Sequence, residues 1–120
     1  MAEARLNLAR YLLERRDALD PEWQTDAGTL IEFVRRNFTH KEFGVTVCHE
    51  QDEDKHTWGG VNSTYGAVLA LYAKAIGSAE LAGDGRQALN FTLYSVDAHT
   101  DVIYNYADAL HAFAERGNQQ

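Results

Sequence analysis

A chain of 120 residues and 13.5 kDa fits one compact domain, since domains of roughly 100 to 150 residues are the common size and two within this length would each lack a core. Its 45% apolar and 24% charged residues lie near globular averages, which excludes collagen-like, coiled-coil and disordered compositions. Eleven basic and eighteen acidic side chains leave a net charge of -7, a sign that repels phosphate backbones and argues against direct nucleic-acid binding.

From Glu3 to Asp17, Leu6, Leu8, Ala9, Leu12 and Leu13 recur at helical spacing with charged residues between them, which predicts a first amphipathic helix. Asp20-Pro21 then supplies a capping side chain followed by proline at a first helical position. The second helix is expected to start there, with Trp23, Ala27, Leu30, Ile31, Val34 and Phe38 along one face. Gly28 weakens it by roughly 1 kcal/mol relative to alanine. These two helices are expected to pack as an antiparallel pair.

After Phe38 the period changes. Phe43, Val45 and Val47 alternate with Gly44, Thr46 and Cys48, a strand pattern. One reading is a β-hairpin near residues 43–60 with its loop at Gln51 to Asp54, pairing Glu50 with Lys55, His49 with His56 and Val47 with Trp58. The other is an acidic loop. A third helix is predicted from Asn62 or Ser63, with Tyr65, Val68, Leu69, Tyr72 and Ile76 on one face and Gly77 as its left-handed terminator. Gly83-Asp84-Gly85 reads as a turn, with Asp84 and Gln87 spaced as a capping box. A fourth helix should begin there and run towards residue 116, either unbroken or interrupted between Ser95 and Thr100. The fold class is therefore mainly α, a small bundle of four to five helices in a single domain over residues 1–120.

Function is less legible, because no segment carries a specific catalytic, nucleotide or metal motif. The longest apolar run, Ala67 to Ala73, falls far short of the ~18 residues needed to cross a bilayer. The opening residues are charged at short intervals rather than leader-like. A soluble, cytoplasmic protein without membrane contact is expected. Its single cysteine, Cys48, forms no internal disulfide and reads as a buried, inert thiol, since the acids near it oppose a thiolate. His40 and His99 have no partner legible in the sequence.

Residues 1–41 hold seven basic and seven acidic side chains, which leaves four basic and eleven acidic for residues 42–120. A field of that sign favours a basic protein partner. On the last predicted helix Asp97, Asp101, Tyr104, Asp108, His111 and Glu115 follow one another at steps of three and four, a polar stripe opposite the apolar face. These six are the candidate partner-binding residues, and no catalytic residue is assigned. His49, His56, Asp108 and His111 are weaker candidates for metal ligands. Neither the paired motifs of zinc sites nor the repeated Glu-x-x-His of di-iron bundles occurs, so neither a metal nor a cofactor is assigned. The leading expectation is a small non-enzymatic inhibitor or adaptor docking on a basic partner, in its sharpest form a phage-type inhibitor of a nucleic-acid-binding complex. The alternatives are a metal- or small-molecule-binding helical protein and a homodimeric structural bundle.

Overall fold

The computed structural model describes residues 1–50, 59–95 and Ala112. Four α-helices and one two-stranded antiparallel sheet lie among them, in the order α1 (Ala2–Arg15), α2 (Trp23–Asn37), β1 (Thr39–Glu42), β2 (Val45–Cys48), α3 (Gly59–Ile76) and α4 (Ala79–Ser95). The mainly helical class with a hairpin is thus as the sequence predicts. None of these helices is long and apolar enough to cross a membrane.

Helix α1 buries Ala2, Leu6, Ala9, Leu12 and Leu13, while Leu8 lies outside the stripe and is half exposed. Its first turn is capped from a distance. The Glu50 carboxylate accepts from the Glu3 N–H at 3.1 Å, and the Glu50 carbonyl accepts from the Ala2 N–H. A carboxylate at this end also meets the positive pole of the helix dipole. The helix stops at Arg16, whose φ of 50° turns the chain, and a single 3-10 turn over Arg16–Ala18 follows.

Helix α2 begins two residues later than Asp20-Pro21 suggests. The Asp20 side chain accepts from the Glu22 N–H at 2.9 Å and the Asp20 carbonyl from the Trp23 N–H, so the pair forms the turn before the helix rather than its first residues. The stripe itself is as expected: Ala27, Ile31, Val34 and Phe38 are buried and Trp23 and Leu30 partly so. At Gly28 a Cβ would stand 2.5 Å from the Tyr72 hydroxyl. The helix thus gives up propensity where a tyrosine of α3 crosses it.

The hairpin is present, but its strands are Thr39–Glu42 and Val45–Cys48, joined at Phe43-Gly44. Both turn residues have positive φ, 49° and 81°, the two-residue geometry that matches strand twist. Glycine suits the second position. Phenylalanine, 97% exposed at the first, is not a turn signal, which is why the sequence points to a loop further downstream. The partners proposed for that loop, Lys55, His56 and Trp58, lie outside the described residues.

Helix α3 is the centre of the molecule, with Val61 to Ala70 buried on every side. It packs against α1 and, most extensively, α4, while β2 rests on both α3 and α4. Gly77, at φ 73°, ends it as predicted. Asn62 and Ser63 are buried inside the helix instead of capping it. The start of α4 is also corrected. Ser78 accepts from the Leu81 N–H through its hydroxyl, so Gly83-Asp84-Gly85 lies within the helix and is not a turn. Gly85 is there for packing: a Cβ on it would stand 2.9 Å from the Gly66 carbonyl oxygen, and one on Gly66 would meet the Gly85 carbonyl at the same distance. The two backbones touch, with Ala67, Ala70 and Leu89 around them and Ala112 packed on the same cluster. The length of the final helix beyond Ser95 lies outside the described residues.

Candidate functional site

Chemistry-bearing side chains converge where the hairpin meets the helices. The register pairs Thr39 with Cys48 and His40 with Val47, and the His49 N–H continues the ladder by donating to the Phe38 carbonyl at 2.8 Å. Side chains alternate between the two faces of a ribbon. Phe38, His40 and Glu42 on one strand therefore share a face with Val45, Val47 and His49 on the other. His40 and His49 are diagonal neighbours, within reach for rings of this size.

Their Nδ1 atoms are 2.8 Å apart and their ring centroids 4.9 Å apart. On its far side His40 places Nε2 2.9 Å from Glu42 Oε1. An ionised carboxylate only accepts, so the Nε2 proton of His40 points at Glu42. The result is a carboxylate–imidazole–imidazole chain whose inner member, His49, is 2% exposed and lies edge-on to Phe38. Among the described residues no group of three or more His, Cys, Asp or Glu side chains is arranged to hold a metal ion.

Next to it a buried polar network ties the strand to the helices. Because Phe38 and His49 form a hydrogen-bonded pair, the adjacent Thr39–Cys48 pair turns its amides outward. The Cys48 N–H donates to Asn62 Oδ1 at 3.0 Å, and Asn62 Nδ2 donates to the Ala88 carbonyl at 2.7 Å and to Thr92 Oγ1 at 3.0 Å. One amide group thus joins β2, α3 and α4. The Cys48 thiol is buried, and its pKa is pushed well up by desolvation and by the nearby Glu50 and Glu3 carboxylates. It is a protonated thiol in contact with the His49 carbonyl, and its raised pKa runs opposite to the lowering that activates a nucleophilic cysteine.

In the last turn of α2, Arg35 bonds Asp84 of α4 at 3.1 Å. Tyr65 of α3 is buried close by, with its phenol pKa raised by that burial against the opposing pull of Arg35.

Of the residues singled out in the sequence, His49 belongs to this cluster. Asp97, Asp101, Tyr104, Asp108, His111 and Glu115, with His56 and His99, lie outside the described residues. His40, Glu42 and Asn62 escaped notice as site residues. The signal for the first two was the Phe43-Gly44 turn, which fixes the register that places His40 beside His49. No known protein family, curated protein or solved structure matches this chain.

Proposed function

We propose that this chain is a small acidic interaction module, an inhibitor or adaptor, that docks on a basic protein partner. The charge asymmetry carries the reading: the acidic and basic residues balance up to position 41, and the whole excess of carboxylates lies beyond it. Of the acids in that region, Glu50 caps α1, Asp84 pairs with Arg35 and Glu42 with His40. Those three are used within the fold. Of the remaining acids, Asp97, Asp101, Asp108 and Glu115 alternate with Tyr104 and His111 at helical spacing, and docking is assigned to that stripe. Charge of this kind sets encounter rate and partner choice more than it sets affinity. In its sharpest form the module covers the nucleic-acid site of its partner, as a phage-type inhibitor does.

The test is affinity capture with the tagged full chain from its own cell extract at low and moderate salt, repeated with Asp97→Asn, Asp101→Asn and Asp108→Asn combined. A basic protein should be retained at low salt, lost as screening increases, and not captured by the triple variant. Capture insensitive to both salt and the three substitutions overturns the assignment.

A further inference from the structure

We propose that His40 and His49 form an acid-sensitive clasp: their Nδ1 atoms share one proton, so the closed hairpin base cannot hold both rings as imidazolium and opens when the second proton arrives. A separation of 2.8 Å between two ring nitrogens is a hydrogen-bond length, which requires one nitrogen to carry hydrogen and the other to be bare. With both rings neutral, His40 keeps its proton on Nε2 towards Glu42, and its bare Nδ1 accepts from His49 Nδ1–H. One added proton makes His40 an imidazolium between Glu42 and His49. The shared bond then reverses direction, and the remaining proton of His49 sits on Nε2. A second added proton places hydrogen on both Nδ1 atoms. Two donors and two positive charges then face each other, one of them on a ring that is 2% exposed.

The ionisable groups around the pair, among the described residues, do not remove this conflict. Glu42 on β1 meets His40 at Nε2, on the far side of the ring from the shared contact. Glu50, after β2, and Glu3 on α1 lie near Cys48. Arg5 of α1 stacks over Phe33 and lies 5.9 Å from the Phe38 ring centre. From α3, the uncharged Asn62 amide bonds Cys48, the residue before His49, and the neutral Tyr65 phenol lies near Cys48 with Arg35 of α2 beyond it. The limit of one proton is set by the Nδ1–Nδ1 contact itself.

Opening the clasp reaches beyond the two rings. His49 closes the ladder at Phe38, and the residue after it, Glu50, holds the first turn of α1. In the unfolded chain each histidine titrates near pH 6.5, so below that value the unfolded state takes up two protons at this pair and the closed form at most one. Stability therefore falls with falling pH. The loss approaches tenfold in the folding constant per pH unit, from about pH 6.5 down to the carboxylate range near 4.3.

The test combines histidine ring ¹H–¹⁵N spectra of the full chain from pH 8 to 4.5 with urea unfolding over the same range. One of the two rings should protonate while the other stays neutral until the chain unfolds. His49→Asn places a non-titrating amide nitrogen where Nδ1 stood, and should reduce the pH slope by about one proton relative to wild type. Both rings charged while the His49 N–H still donates to the Phe38 carbonyl, or an unchanged slope in the variant, overturns the clasp. If His49→Asn does not fold, the wild-type spectra decide alone.

Discussion

Asn62 shows how much one side chain can settle. Its carbonyl oxygen satisfies the outward amide of β2, and its amide hydrogens satisfy an α4 carbonyl and Thr92. All three of these bonds lie in the buried interior, where an unmade bond costs about 1–3 kcal/mol. Asn62→Ala strands the Cys48 N–H and empties the amide's place, so urea unfolding should show a loss of about 2–3 kcal/mol. Asn62→Asp retains an acceptor for Cys48 but sets a carboxylate against the Ala88 carbonyl. It should be the worse of the two at pH 7 and regain stability relative to wild type as the pH is lowered towards 5. From the sequence Asn62 looks like a helix cap, because asparagine near the start of an apolar stripe usually is one. What overrode that rule was a strand 14 residues upstream, a contact that no local pattern encodes.

Helices α3 and α4 show the same tension between local preference and packing. Three glycines, Gly66, Gly83 and Gly85, lie in their interiors, and glycine costs a helix about 1 kcal/mol relative to alanine. Gly83 has nothing within 4 Å of where a Cβ would be, whereas Gly66 would meet Leu89 Cγ at 2.6 Å and the Gly85 carbonyl at 2.9 Å. Gly83→Ala should therefore stabilise the chain by up to about 1 kcal/mol. Gly66→Ala should destabilise it by about 1–3 kcal/mol, since relief requires the backbones to separate. Denaturant midpoints of the two variants on opposite sides of wild type would check the pair. Periodicity located every described helix, because a 3.6-residue repeat survives in any amphipathic segment. It misplaced the start of α4 because Gly-Asp-Gly has turn chemistry by itself, whereas in the fold the helix is capped upstream by Ser78 and Gly85 packs on Gly66. It likewise placed the hairpin downstream, because Phe43 occupies a left-handed position where asparagine or glycine is the usual signal.

For the molecule as a whole, two buried groups limit the pH range of the folded state from opposite sides. On the acid side stands the histidine pair. On the alkaline side stands Cys48, whose proton is held tightly in the fold by desolvation but released near pH 8.5 in the unfolded chain. Above that value the unfolded state binds fewer protons than the native one, so stability declines by about 1.4 kcal/mol per pH unit. Cys48→Ala should flatten this decline between roughly pH 8.5 and 10, as read from unfolding curves at fixed pH. Tyr65, whose burial also raises its pKa, adds a further decline only above the ordinary phenol value near 10. The net charge and its asymmetry were legible from composition alone. The use of three of those carboxylates inside the fold was not, because it depends on which elements meet.

The remote cap on α1 also bears on how the chain emerges during synthesis. The carboxylate that completes the first turn lies 47 residues after the amide it receives, and at roughly 5–20 residues per second it leaves the ribosome about 2–9 s later. Until then the first turn of α1 lacks this acceptor, and its capped form must wait for a segment on the far side of the hairpin.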